Sequence, residues 1–212
     1  LLSTQIALSF LEGQRADKKI CPCGRFFFAC ACLPPGYSGG MSPMLAGAQR
    51  ILILGSPVAG KSTLARQLAH SMALPLVHLD ALYWAQGTPP AAAQWRSTVE
   101  QAIAQPAWIM DGHYPSSLAQ RLQRADAVIY LDFPRSLCLW RVLRRSWQGQ
   151  RADGVPATSL PRWDWRFVQR VWHYPSVQRP RDMALLSAFE GPVLRFTGPS
   201  ALQQCLHEAK YL

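Results

Sequence analysis

Nine residues, Gly55-Ser56-Pro57-Val58-Ala59-Gly60-Lys61-Ser62-Thr63, constrain this chain more than any other stretch. They form a GxxxxGK[ST] pattern directly after the apolar run Arg50–Gly55 and directly before KSTLARQLAHSMA, whose spacing predicts a helix over 61–73. In a strand-loop-helix of this kind, loop N–H groups and the positive end of the helix make a concave site for phosphate. Lys61 can reach the β- and γ-phosphates of a nucleoside triphosphate as a movable charge, and the Ser62 hydroxyl can ligate Mg²⁺. ATP or GTP is therefore the expected ligand of residues 55–63, with Mg²⁺ beside it. The lysine is itself informative, because the chain carries 18 Arg and only four Lys. One residue fits poorly. Val58 is the fourth residue of the loop, and if φ must be positive there a β-branched side chain costs roughly 1–3 kcal/mol. Either the loop shifts locally or phosphate binding weakens.

After residue 50 the chain alternates short apolar runs with longer helical patterns. Strands are predicted at Arg50–Gly55, Pro75–Leu79, Ala107–Met110, Ala127–Leu131 and Pro192–Phe196. Helices are predicted near 61–73, 91–105, 116–124, 135–147, 162–174, 180–189 and 199–209. Strands rich in Val, Ile and Leu without alternation are those buried on both faces, which predicts a parallel sheet with helices on each side. With 212 residues and 49% hydrophobic residues, there is material for one core, which excludes a disordered chain. Gly, Pro, Arg or Gln interrupts every apolar stretch, so none reaches the ~18 residues of a membrane-crossing helix.

Residues 1–40 read differently. A cysteine cluster (CPCGRFFFACAC) and a Pro-Gly-Ser-Gly linker precede Met41 and Met44. The economical expectation is an upstream extension, disordered or outside the natural reading frame, with the folded domain spanning 41–212. Two alternatives stand beside it. Cys21-x-Cys23 with Cys30-x-Cys32 could hold zinc, although the usual knuckle has one more residue between its thiolates. Lys18, Lys19 and Arg25 before an apolar run resemble a secretory signal, which conflicts with a need for cytoplasmic ATP. The later cysteines, Cys138 and Cys205, do not make a disulfide scaffold.

Three strands run into a carboxylate: LVHLD at Asp80, AWIMD at Asp111 and AVIYLD at Asp132. In doubly wound sheets ligands bind at the carboxyl edge, so these should converge on the phosphate loop. An aspartate there can hold a magnesium-bound water or take a proton from a substrate hydroxyl; singly, each could equally be a helix cap or turn residue.

From about residue 50 onward the chain resembles the adenylate-kinase-like P-loop kinases. More narrowly, it is similar to the bacterial DNA topology modulation proteins, in which GSPxxGKSTLA, HLDxLYW, WIxDGxY and LDFPRxLCLWRVLRR occur in this order, matched here by GSPVAGKSTLA (55–65), HLDALYW (78–84), WIMDGHY (108–114) and LDFPRSLCLWRVLRR (131–145). The resemblance implies a three-layer α/β/α P-loop fold. Its five-stranded parallel sheet would have the order 2-3-1-4-5, with a short helical Arg-rich lid at about 146–162. It also implies that Asp111 is the magnesium-associated carboxylate and that Arg141 and Arg145 contact the nucleotide. Lys61, Asp80, Asp111, Arg141 and Arg145 are the catalytic candidates, and Ser62 with Asp111 the metal candidates.

The chain departs from adenylate kinase after the Asp-Gly. There His113-Tyr114-Pro115 replaces Phe-Pro-Arg and its acceptor-gripping arginine. Asp80 is read as a hydroxyl or base ligand of the acceptor, with Tyr83 and Trp84 as pocket walls or core. His78 and His113 read as polar core residues. Between Arg135 and Arg181 lie ten arginines and two acidic residues, Asp153 and Asp164, and the formal net charge is +10. That stretch could be a lid whose guanidiniums, among them one or two of Arg162, Arg166 and Arg170, close over a triphosphate; a solvated basic face is the plainer reading. It could also bind nucleic acid, since Trp163, Trp165, Trp172 and Tyr174 interleave with the arginines. The expectation is an ATP- and Mg²⁺-dependent phosphotransferase acting on a small acceptor, nucleoside- or nucleotide-like or another hydroxylated metabolite. It would be cytoplasmic, a monomer or homodimer, and without a membrane partner. The alternative is a nucleotide-binding regulator that contacts DNA or RNA.

Overall fold

Apolar runs without alternation become strands with no solvent side. The computed structural model of the chain describes residue 45 and residues 47–148 and 165–208. Within it, β1 (Arg50–Gly55), β3 (Trp108–Asp111) and β4 (Ala127–Leu131) are buried almost throughout. β2 (Leu76–His78) and β5 (Val193–Phe196) flank them, and all four pairings are parallel in the order β2-β3-β1-β4-β5. That is the order the resemblance implies. Successive side chains alternate between two apolar clusters. Ile51, Ile53, Ile109, Ile129 and Leu131 join one, while Leu52, Leu54, Met110, Val128 and Tyr130 join the other. At about 1.5–3 kcal/mol for each large apolar side chain fully buried, the two clusters are the main favourable contribution to the fold.

Helices cover both faces. α1 (Lys61–Met72) supplies Leu64, Ala65 and Leu68 to the first cluster, and α5 (Arg135–Trp147) supplies Cys138 and Val142. α2 (Leu79–Tyr83), α3 (Ala92–Ile103) and α4 (Pro115–Arg124) cover the second. α2 is not expected from the sequence. β2 stops at His78, so Asp80 lies in the first turn of a helix and does not end a strand as predicted.

The other difference is larger. In place of helices at 162–174 and 180–189, a single helix α6 (Trp165–Ser187) runs through Pro175 and Pro180, followed by β5 and α7 (Pro199–Glu208). An internal proline removes a backbone donor and crowds the carbonyl four residues earlier, at about 3 kcal/mol. One unbroken inward face offsets that cost: Val171, Tyr174, Gln178, Asp182 and Leu186 recur at helical spacing across both prolines, and all but Gln178 are buried. Val171 packs in the first cluster and Leu186 in the second, so α6 passes from one face of the sheet to the other. On the way it crosses the carboxyl end of β4. There the Tyr174 and Tyr130 hydroxyls meet at 2.8 Å, and Arg179 reaches Asp132.

The extension expected at 1–40 and, beyond Gln148, the lid expected at about 146–162 lie outside the described residues. So do Arg151, Asp153, Arg162, Trp163 and Asp164.

Candidate active site

The loop after β1 is a tight structure whose backbone explains its residues. Gly55 has φ 120°, and a Cβ there would stand 2.2 Å from the Leu131 carbonyl oxygen, so only glycine lets β1 approach β4 this closely. Gly60 has φ 99° and caps α1 with no side-chain hydrogen bond, which leaves first-turn N–H groups for an anion. Val58 sits at φ 58°. Of the two outcomes expected from the sequence, the loop does not shift to spare it: the valine takes the left-handed conformation. Ser56 turns its hydroxyl inward to the Phe133 carbonyl at 3.2 Å, tying the loop to the chain after β4.

Two cations brace the loop. The Lys61 Nζ donates to the Gly55 and Ser56 carbonyls at 3.1 and 2.8 Å. Arg141, from α5, donates to the Val58 and Ala59 carbonyls at 3.2 and 2.8 Å and lies over the Phe133 ring. Desolvation pulls the Lys61 ammonium below its ordinary range, against the fields of Asp111 and Asp80.

The loop opens on a cleft of about 2100 Å³. Ligand pockets commonly span roughly 300–1,000 Å³, so there is room for a nucleotide and a second molecule together. Pro57 through Thr63, Asp80, Asp111, Arg141 and Arg145 all line it. Gly55 and Ser56 lie beneath it as the loop's base. Asp111 ends β3 in register with His78 of β2, and the His78 Nδ1 is 2.5 Å from the Asp111 Oδ1. His78 is thus a partner of the carboxylate and more than a polar core residue. Asp80 accepts from the Tyr114 hydroxyl at 2.7 Å. Burial, with the adjoining Asp80 charge, raises the Tyr114 phenol well above its ordinary value, so it remains a donor. Tyr83 and Trp84 line the cleft, and Tyr83 packs edge-on to Trp84 and Trp95 and against Tyr114, with centroids 5.0–5.4 Å apart.

Asp132 does not join them. Its carboxylate accepts from Arg179 at 2.9 Å and is held by Arg195 of β5 as well, so it clamps β4, β5 and α6 together. The expected convergence of three strand-ending carboxylates is therefore corrected: Asp111 and Asp80 line the cleft, and Asp132 does not. Other basic side chains of the Arg-rich stretch are engaged too, with Arg135 over Trp172 and Arg144 over Trp140 at 4.7 and 5.3 Å. Arg144 and Arg170 line the cleft.

Sequence reasoning missed two features. Arg121 of α4 is wholly buried and donates to the Gly112 and Tyr114 carbonyls at 2.9 and 2.8 Å. It fixes the loop after β3, and desolvation pulls it down to about 10. Asp182 is also wholly buried and bonds the His113 Nε2 at 2.9 Å, Tyr174 at 2.9 Å and Gln178 at 3.1 Å. Burial pushes its carboxyl up, but the bonds from His113, Gln178 and Tyr174 outweigh this and hold it below the usual range. The available signal was a carboxylate on an otherwise apolar helical face, which needs buried partners.

Among the described residues no three His, Cys, Asp or Glu side chains group to hold a metal by themselves. A hydroxyl and a carboxylate facing a phosphate site are what Mg²⁺ takes, since it keeps waters and phosphate oxygens for the rest of its shell. Ser62 and Asp111, both on the cleft, fit that donor set.

No family model matches the chain, and no curated protein does. Among solved structures, it is similar to the shikimate kinase of Bacteroides thetaiotaomicron at 14% identity and a TM-score of 0.48, over 78% of this chain and 98% of that one. A parallel sheet in the order β2-β3-β1-β4-β5, with a glycine-bearing phosphate loop between β1 and α1, is the P-loop kinase-like α/β fold.

Proposed function

We propose that the chain is an ATP- and Mg²⁺-dependent kinase that transfers the γ-phosphoryl group to a hydroxyl of a small acceptor. The observation that carries this is one cleft lined together by the phosphate loop, Lys61, Arg141, Arg145, Asp80 and Asp111. Loop N–H groups and Lys61 would hold the β- and γ-phosphates, and Arg141 and Arg145 would neutralise charge spreading over the transferred group. Ser62 and Asp111 would hold Mg²⁺ or its waters, and the ion would supply positive charge to offset that of the phosphates. Asp80, fixed by Tyr114, would orient the acceptor hydroxyl and take its proton as the oxygen attacks phosphorus, while ADP leaves with the electrons of the broken bond. A reaction that draws on ATP suits the cytoplasm, and no described helix is long and apolar enough to cross a membrane. The narrower resemblance to the topology modulation proteins rests on the shared motifs alone.

The test is calorimetric ATP binding together with ADP release across a panel of nucleosides, nucleotides and hydroxylated metabolites, each with Lys61→Ala as control. ATP binding and acceptor-dependent ADP release, both lost in the variant, support the reading. Absence of ATP binding overturns it. A nucleic-acid-binding regulator is the second reading, favoured by Trp140, Trp147, Trp165 and Trp172, which are exposed on α5 and α6 among arginines. Tight binding to a single-stranded oligonucleotide with a steep salt dependence, and no phosphorylated product, would select it.

A further inference from the structure

One part of the cleft lining is not built to grip a second phosphate. Asp80, Tyr83, Trp84, His113, Tyr114 and Gln178 line it. Arg121 follows this loop in the chain, yet it is wholly buried with both terminal nitrogens committed to the Gly112 and Tyr114 carbonyls. It presents no charge to a ligand. The lining cation whose field reaches Tyr114 is Arg170, exposed on α6, and the Asp80 carboxylate stands against it in direct contact with the same phenol.

What this part does offer is hydrogen bonding at fixed points beside an aromatic wall. The Tyr83, Trp84 and Tyr114 rings form the wall, backed by the buried Trp95 at 4.8 Å from Tyr114 and 5.0 Å from Tyr83. His113 is held by its Nε2 against both oxygens of Asp182, at 3.0 and 2.9 Å, and its ring meets Tyr174 edge-on at 5.7 Å. Tyr174, Tyr130 and Gln178 donate to the same carboxylate, so the group fixing His113 is itself fixed from three further directions. The His113 side chain stays 18% exposed, and its Nδ1 has no protein partner among the described residues. A hydroxyl can donate to that nitrogen or accept from it, whereas a phosphate dianion near Asp80 meets a like charge.

We propose that the acceptor is an uncharged, hydroxyl-bearing molecule with a flat ring, of the chemistry of a nucleoside and not of its monophosphate. It is stacked on the Tyr83–Trp84–Tyr114 wall and hydrogen-bonded by Asp80 and His113, and Asp182 acts as the residue that positions His113. This rests on the kinase reading above. Transfer forms the bond from the acceptor oxygen to the γ-phosphorus and breaks the bond from that phosphorus to the β–γ bridging oxygen. ADP is released and the hydroxyl proton passes to Asp80.

The experiment measures ADP release by the full chain with ATP and Mg²⁺. The probes are adenosine, guanosine, cytidine and thymidine, each beside its 5′-monophosphate, with ATP affinity measured separately by calorimetry. The expected result is turnover with at least one nucleoside and a kcat/KM at least about tenfold lower for its monophosphate. His113→Ala should raise the KM for that nucleoside about tenfold while the KM for ATP stays within about twofold. His113→Gln, which keeps a donor toward Asp182, should recover most of the loss. Asp182→Asn should show the same split between the two KM values, which a merely structural role would not produce. Equal or better turnover of the monophosphates overturns the proposal, all the more plainly if Arg170→Ala removes it. So does normal ATP binding with no nucleoside turned over, which leaves the kinase reading standing. Absence of ATP binding overturns both.

Discussion

Val58 is the residue where the phosphate loop should store measurable strain. The fold holds it at φ 58°, where a β-branched side chain costs about 1–3 kcal/mol. Its side chain is half-buried against the first apolar cluster, which returns about 1 kcal/mol, roughly half the value of a fully buried valine. Val58→Gly relieves the strain, loses that packing and adds about 0.5–1 kcal/mol of unfolded-chain entropy, so the terms nearly cancel. Val58→Ala loses the same packing but keeps a Cβ at positive φ, where an L-residue costs about 1–2 kcal/mol more than glycine. The comparison of the two variants therefore reads the strain net of glycine's unfolded-chain entropy, since neither has the valine methyls.

Glycine should come out about 1 kcal/mol more stable than alanine. At roughly 2–4 °C per kcal/mol for a domain of this size, Val58→Gly should melt near the unmodified chain and Val58→Ala about 2–4 °C below it. ATP affinity should move by less than about threefold in either, because the strain belongs to the folded loop and is common to the free and nucleotide-bound states. The measurement is thermal melting of the three proteins in one buffer, with calorimetric titration of ATP. If Val58→Ala melts at or above Val58→Gly, the left-handed valine carries no strain and the reasoning fails.

Lys61→Ala should cut ADP release about 10²- to 10³-fold and weaken ATP binding with little change in melting temperature, because its bonds to the Gly55 and Ser56 carbonyls are on the loop and not in the core. Asp111→Asn should raise the Mg²⁺ concentration needed for half-maximal turnover; the same shift in Asp132→Asn would contradict the placement of Asp132 with Arg179 and Arg195. Asp132→Ala should instead destabilise the fold by about 1–3 kcal/mol in urea, less than a fully buried pair would lose because Arg179 is partly exposed. Asp182, whose folded carboxyl lies below its ordinary 3.8, contributes stability that is fully present above that pH and lost as pH falls through the folded value. The melting-temperature gap between the unmodified chain and Asp182→Asn should therefore be constant from neutral pH down to about 5 and close in stronger acid.

The fold is legible in the sequence wherever a short window decides the outcome. Runs such as ILILG and AVIYL have no polar face to offer water, so they can only be interior parallel strands. The loop between Gly55 and Lys61 needs residues at fixed offsets, and those offsets are local. At α6 the sequence misleads, because Pro175 and Pro180 are each a strong local stop signal. The opposing signal is distributed: Val171, Tyr174, Gln178, Asp182 and Leu186 keep helical spacing through both prolines, and only the packing of the whole face outweighs two lost backbone donors.

The carboxylates show why the site is less legible than the fold. Asp80, Asp111 and Asp132 carry nearly the same local signature, an apolar run closed by aspartate, and they reach three different ends. Asp111 meets the residue beside it in the sheet register, His78. Asp80 is carried into a helical turn and meets Tyr114, 34 residues on. Asp132 meets arginines 47 and 63 residues away and leaves the cleft altogether. A carboxylate's role is set by which donor the fold brings to it, and a +10 chain with arginines on β1, β5 and five of its helices offers many candidates that no local window ranks. Asp182 is the instructive opposite. Its neighbours in sequence are arginine-rich and say nothing about a site. Yet a charged side chain on the inward face of a helix is costly to bury unless hydrogen-bond donors already wait for it. His113, Tyr130, Tyr174 and Gln178 are those donors, and all but Tyr130 line the cleft. Helical periodicity applied to the polar residues of α6, and not only to its apolar ones, is the signal that marks Asp182 as a buried carboxylate in need of such partners.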